Sequence, residues 1–426
     1  MKRTVYKELG EEVWSERLFN GLQVTVVPKR SFSRACALLA VRCGGHDLAF
    51  SLNGSRRQVP AGMAHFLEHM MFHMPYGSAL DMLEVNGASA NAFTTPEVTG
   101  YHFSCNERFE ENLGILLDFV TTPFFPAESV EKERSIIAQE IRMGEDDPGK
   151  RLYRNLDRAL YENPLMWEPV AGTAASIAEI TPALLEEFYR AFYSPENMIL
   201  CVSGNVEPEA VRRVAMEKFH AKSAGALLRD RGEPEGLLPV RLRTEETMPV
   251  SATMFAFGAK LPMPGSGREQ LRERLVGNLA CDLLAGGSSP LFERLYEAGL
   301  VDPSFSCGVS NTLSGSTVII SGESKDPTAV MEQVSAEAET LAKGGGEALF
   351  ERLKRAALGA FIRAFDDMAG ICSLEANEYY RDCSLFEGRE ALQSVTLEDV
   401  RAFLRENLAL ERFALSVIRP DKEKGE

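Results

Sequence analysis

Gly62-Met63-Ala64-His65-Phe66-Leu67-Glu68-His69-Met70-Met71-Phe72 is the stretch from which the rest of the chain is best read. No helix breaker stands between Gly62 and Pro75, and Ala, Leu, Met and Glu favour helix, so the spacing predicts a helix here. On that helix His65 and His69 fall one turn apart on one face, about 40° out of line, and Glu68 borders the same face. Met63, Phe66, Leu67, Met70 and Met71 make the helix apolar around much of its girth, which predicts burial. Histidines and a glutamate inside a buried helix need partners. The bland alternative is a polar face with two solvated histidines. With six histidines in the chain, the pattern arises by chance on the order of once in a hundred such sequences.

Two neutral imidazoles and a carboxylate hold Zn²⁺ tetrahedrally and leave a fourth position for water. The ion lowers the pKa of that water to roughly 7, and a neighbouring carboxylate can take its proton. His65 and His69 are therefore candidate ligands and Glu68 the candidate base. The third ligand is sought on the predicted helix Ser129 to Gly144, where Glu133 and Glu140 lie two turns apart and share a face with Ile136 and Ile137. Spacing alone leaves a solvated acidic face equally open. His73 continues the i, i+4 series as a rival ligand, but it stands two residues before Pro75, where the helix is ending. His46, His102 and His220 belong to no such motif.

Gly87-Ala88-Ser89-Ala90-Asn91-Ala92-Phe93-Thr94-Thr95-Pro96 begins with a turn residue and ends at proline, and reads as an edge strand. Its small side chains would let an extended peptide add as a further strand through main-chain hydrogen bonds. An ordinary edge strand without that role is the alternative.

From His65 to Gly172 the sequence resembles the pitrilysin/insulinase family and its processing-peptidase-like bacterial branch. In that family His-x-x-Glu-His is followed by Glu-Arg-x-(apolar)-(apolar)-x-x-Glu, which Glu133-Arg134-Ser135-Ile136-Ile137-Ala138-Gln139-Glu140 fits. The resemblance implies one zinc per chain held by His65, His69 and Glu140, and Glu133 as an accessory residue orienting a histidine. It gives His73 no metal role. It implies a metallopeptidase cleaving short or unfolded peptides, with substrate held by the strand at Ala90, Asn91 and Ala92 and with Asn91 reaching toward the scissile carbonyl. A non-catalytic binding subunit is the alternative, and such subunits usually lack the complete metal set that stands here.

Working outward, Ile180 through Phe188 with Met198-Ile199-Leu200-Cys201-Val202 matches Val395 through Phe403 with Phe413-Ala414-Leu415-Ser416-Val417, without a gap. Each copy reads as amphipathic helix, turn and apolar strand. Glu133 through Arg142 also matches Lys354 through Arg363, which sets Lys354 and Phe361 where the first copy has Glu133 and Glu140. An internal duplication follows. The expected fold is α+β, with two homologous layer domains of the processing-peptidase-like metallohydrolase type. Residues 1–220 form the zinc-binding domain, 221–244 a Gly-, Arg- and Pro-containing linker, and 245–426 the non-catalytic domain. Strands are expected at Leu22–Val27, Ala37–Arg42 and Thr317–Ser321. No histidine follows His220, so the second half cannot carry another such site. In the family, two such halves face each other across a chamber that admits unfolded peptides.

In the family an Arg and a Tyr of the second half hold the substrate after Gly-Gly-x-Ser-Ser-x-Leu-Phe. Gly286-Gly287-Ser288-Ser289-Pro290-Leu291-Phe292 fits the lead-in, but Tyr296 and Pro303 stand at those two positions. That departure implies a heterodimer with a homologous zinc-free subunit, unless Arg294 or Tyr379-Tyr380-Arg381 substitutes locally or a homodimer suffices. The net charge of −16 speaks against a nucleic-acid partner. The scattered cysteines without a C-x-x-C pair, and the absence of an apolar leader or span, suggest a cytoplasmic, membrane-free protein.

Overall fold

The computed structural model describes residues 1–263, 265–312 and 314–421. Among these, the first half builds a seven-stranded sheet in the order Lys2–Tyr6, Glu11–Arg17, Gln23–Pro28, Met198–Gly204, Ala35–Val41, Thr99–Cys105, Ser89–Thr94. The second half builds a five-stranded sheet in the order Arg243–Met248, Ala414–Pro420, Met254–Leu261, Ser316–Glu323, Ser306–Asn311. The second sheet repeats the last five strands of the first. In each, one pair is parallel, Met198–Gly204 with Gln23–Pro28 and Ala414–Pro420 with Arg243–Met248, and the other pairs are antiparallel. The expected α+β duplication is therefore present, and the three expected strands lie within a residue or two of their places.

Ala35–Val41 and Met198–Gly204 are buried at every position, so both faces of the first sheet are covered at its centre. One face packs on helices of its own half, Met63–Met71, Phe109–Thr121, Pro182–Phe192 and Pro208–Lys218. The other face carries Cys36, Leu38, Ala40, Ile199 and Cys201, and it is covered by Met368, Cys372 and Ala376 of a second-half helix, Met368–Tyr379. The exchange is mutual. Leu152, Leu156, Ala159 and Leu160 of the first-half helix Pro148–Leu160 pack on Ala256, Ala414 and Ile418 of the second sheet. A tyrosine ends each lent helix: Tyr380 Oη donates to the Ala40 carbonyl at 2.7 Å, and Tyr161 Oη lies 2.6 Å from Thr317 Oγ1.

The two halves share these cores because each sheet needs its second face covered and the helix that covers it comes from the other half. The segment with linker composition is also tied down. Leu227–Arg229 pairs with Ala49–Leu52, and Arg229 Nε donates to the buried Asp47 at 3.0 Å.

The structure shifts the second internal match by one residue. Arg134 donates through Nη1 to the Ile177 carbonyl and through Nη2 to that of Ile180 at 2.9 Å. Lys354 Nζ does the same to the carbonyls of Gln393 (2.8 Å) and Val395 (2.6 Å). Lys354 thus takes the place of Arg134, clamping the turn before the next helix, and not that of Glu133. No described helix is long and apolar enough to cross a membrane, and all eight cysteines are free thiols.

Candidate metal centre

The helix carrying the histidines runs Met63–Met71, with Met63, Ala64, Phe66, Leu67, Met70 and Met71 in the core. It begins at Gly62, whose φ of +90° suits glycine and where a Cβ would lie 2.6 Å from the Ala171 carbonyl oxygen. The close crossing of these two backbones fixes where the helix starts. Its partner is the helix Ala127–Glu145, which brings Glu133 and Glu140 alongside. Arg134 anchors that helix to the turn at Ile177 and Ile180 and lies over the Phe66 ring, 5.9 Å from its centroid.

His65 Nε2 and His69 Nε2 both approach Glu140 Oε2, at 3.8 and 3.6 Å. Donor atoms of these three residues lie within 4.8 Å of one another. The separations are too long for hydrogen bonds and close to the roughly 3.4 Å between ligand atoms that share a tetrahedral ion at bonds of about 2.1 Å. Nitrogen, nitrogen and carboxylate oxygen are also the donor set that zinc takes. His65 Nδ1 is buried with no partner among the described residues. Burial, and then the neighbouring His69, draws the His65 pKa down to about 4, which keeps the ring neutral and able to ligate.

Glu133 bridges two histidines, with Oε2 at 3.3 Å from His69 Nδ1 and Oε1 at 3.2 Å from His73 Nε2. Those two contacts draw its pKa down to about 2. For His69, burial acts to lower the pKa, but the bond to Glu133 and the carboxylates of Glu140 and Glu68 outweigh it and the value is raised. His73 lies beyond the helix, in the short strand His73–Met74, and faces Glu133 and not Glu140.

Glu68 is buried beside this cluster, and desolvation pushes its pKa up against a bond from Thr94 Oγ1 to Oε2 at 2.5 Å. Thr94 was not singled out from the sequence. Period-two alternation from Ala90 and Ala92 was the signal that could have found it.

Ser89–Thr94 is the last strand of its sheet. Thr95 N–H donates to the Val98 carbonyl at 2.8 Å, and antiparallel pairs alternate from there. Phe93 and Asn91 are thereby bonded to Gly100 and His102, while Thr94, Ala92 and Ala90 turn their backbone groups to the open edge. Asn91 leaves the strand on the face opposite Thr94, and its Oδ1 accepts the Ala92 N–H at 2.9 Å. Its side chain therefore lies along the free edge, bonded to the neighbouring backbone, on the face away from Thr94 and Glu68.

The second half comes near this centre at Ser314, whose Oγ lies 3.1 Å from Nδ1 of His46, a residue that lines the same cavity as His65 and Glu140. Burial draws the His46 pKa down to about 4. Of the residues that were to substitute for the missing Arg and Tyr, Arg294 pairs with Glu337 at 2.5 Å and Tyr380 is buried against Ala40. Arg381 is held by the Asn311 carbonyl at 3.2 Å and by Glu97 at 3.9 Å.

Residues 53–174 match the family model Insulinase (Peptidase family M16), and residues 179–357 match its companion, the Peptidase M16 inactive domain. The chain is 34% identical to the uncharacterized zinc protease YmfH of Bacillus subtilis over 99% of both chains. Among solved structures it resembles an M16-like peptidase from Alicyclobacillus acidocaldarius, with a TM-score of 0.92 at 30% identity, covering 96% of this chain and 99% of that one. A protease from Helicobacter pylori shares the fold at a TM-score of 0.82 and 18% identity, over 96% of this chain and all of the other.

Proposed function

Because this chain belongs to the insulinase family of zinc metallopeptidases, we propose that it hydrolyses short or unfolded peptides with one zinc ion held by His65, His69 and Glu140. The observation that carries the reading is the convergence of both Nε2 atoms on Glu140 Oε2 with the Glu68 carboxyl buried alongside. When bound, zinc lowers the pKa of a water to roughly 7 and polarises the carbonyl under attack. Glu68 accepts the proton of the attacking water as the new C–O bond forms, then delivers it to the departing amine nitrogen as the C–N bond breaks. Its raised pKa suits a group that must both take and return a proton. Thr94 holds the Glu68 carboxyl in place, and Glu133 orients His69 through Nδ1. Ala90 and Ala92 offer open-edge backbone groups to an extended peptide, once the Asn91 amide moves off the Ala92 N–H.

On this assignment His73→Ala keeps about one zinc per chain after dialysis, because His73 faces Glu133 and lies outside the three-residue cluster. A variant that loses its zinc would make His73 a ligand.

The active form is a heterodimer with a homologous zinc-free subunit, in a reducing cytoplasm that suits eight free thiols. Two observations favour a second subunit. The halves of one chain meet through shared cores, and Arg294, Tyr380 and Arg381 are held by other partners. Purified alone, the chain is expected to carry about one zinc and to cleave an unfolded peptide library poorly. Co-expression with a homologue bearing the Arg and Tyr should restore cleavage. Full turnover by the isolated monomer would remove the need for a partner, and a zinc-loaded pair that cleaves nothing would overturn the peptidase reading.

A further inference from the structure

His73 stands just past the helix that carries His65 and His69, in a position the fold builds deliberately. After Phe72 the chain leaves the helix Met63–Met71 and forms the two-residue strand His73–Met74, paired with Gly77–Ser78 in the register His73 to Ser78 and Met74 to Gly77. This small hairpin is pinned on both sides. Met74 is buried in the first core, the Tyr76 hydroxyl at the turn donates to Asp118, and Ala79 N–H donates to the Phe72 carbonyl at 3.0 Å. Successive strand side chains leave on opposite sides, so burying Met74 sends His73 away from the core. There it meets Glu133 of the helix Ala127–Glu145.

An ionised carboxylate only accepts hydrogen bonds, so each imidazole donates to Glu133, His69 from Nδ1 to Oε2 at 3.3 Å and His73 from Nε2 to Oε1 at 3.2 Å. Donation through Nδ1 leaves the lone pair of His69 Nε2 on the side of Glu140, as ligation requires. With His69 as its one donor, the Glu133 carboxyl could turn about its broad terminal torsion and take bonds from solvent instead. A second donor on the other oxygen fixes the carboxyl plane. That donor also draws charge from the carboxylate and weakens the pull of Oε2 on His69. The His73 side chain is 32% exposed and that of Glu133 12%, so water and salt screen this field effect, and orientation outweighs it.

We propose that His73 is a positioning residue for the metal centre, acting through Glu133 to hold His69 in its ligating orientation and so to slow the loss of zinc. The inference rests on the zinc reading above for the ligand set and goes beyond it in giving His73 a role outside that set. His73 belongs neither to the three-residue cluster nor to the walls of the cavity beside it. Its removal therefore leaves about one zinc per chain and changes how fast the ion departs. Loss of a group bonded directly to a ligand typically costs about 10–100-fold in metal affinity, and His73 acts one bond further out, so release should quicken by about three- to tenfold.

The test loads the wild-type protein, His73→Ala, His73→Gln, Glu133→Ala and the double variant His73→Ala with Glu133→Ala with zinc, and follows its release into an excess of a chromogenic chelator. His73→Ala is expected to release zinc about three- to tenfold faster than wild type. His73→Gln should stay near the wild-type rate, because an amide N–H can donate from the same place. In the Glu133→Ala background His73→Ala should add nothing, since the path it acts through is gone, whereas a merely structural role would add its effect in both backgrounds. Metal-free melting temperatures are compared alongside. Should His73→Ala melt well below wild type, His73→Phe fills the space without a donor and is expected to release zinc at the faster rate. Equal or slower release by the donor-free variant, failure of glutamine to restore the rate, or additive effects in the double variant overturns the proposal. No peptide enters the assay. A wild-type protein that holds zinc but cleaves nothing with its partner overturns the peptidase reading and leaves the role of His73 standing, while one that takes up no zinc overturns both.

Discussion

Glu68→Gln is expected to retain about one zinc per chain and to lower peptide hydrolysis by about 10²–10⁴-fold. Glutamine matches glutamate in size, and its amide oxygen can still accept the hydrogen bond from Thr94 Oγ1 that now goes to Glu68 Oε2. The helix Met63–Met71 should therefore keep its packing, and His65 and His69 their places. Removing the charge also relieves the desolvation that raises the Glu68 pKa, so the folded state has no reason to weaken. What the amide cannot do is accept the water proton and return it to the amine. The measurement is turnover of an unfolded peptide by the form that cleaves fastest, alone or with its partner, alongside zinc content. Substantial turnover by the zinc-replete variant would mean that another residue is the base.

Glu140→Gln is expected to strip the chain of zinc. Among the described residues, Glu140 supplies the carboxylate oxygen that lies within 4.8 Å of donor atoms of both candidate histidine ligands, and its side chain is 44% exposed. The substitution should leave the core undisturbed, so a change in metal content reports ligation and not unfolding. Losing a residue that only supports a ligand typically costs 10–100-fold in metal affinity. Replacing an anionic ligand by a neutral amide should cost more, and zinc per chain after dialysis should fall toward zero while the metal-free melting temperature stays unchanged. Wild-type zinc content in this variant would refute the ligand assignment.

The chemistry was legible where it depends on local geometry. A helix places residues i and i+4 on one face whatever surrounds it, so His65, His69 and Glu68 could be grouped from one eleven-residue stretch. The edge strand was legible from its bounding Gly87 and Pro96, and the duplication from repeated helix–turn–strand text. Glu140 was not decided by spacing, because nothing local distinguishes a ligand-bearing helix face from a solvated one.

The tertiary structure alone decided what crosses between distant segments. It brought Glu133 between His69 and His73, set Thr94 on Glu68, and turned Asn91 to the free edge. It also moved Lys354 into the place of Arg134, a one-residue shift that two amphipathic helices cannot reveal because either register keeps their apolar faces inward. The exchange of helices between the halves was invisible for a related reason. Hydrophobic periodicity says that Pro148–Leu160 and Met368–Tyr379 must bury a face, but not which sheet will bury it. Only the packed structure, in which each sheet still lacked a cover on one side, answers that.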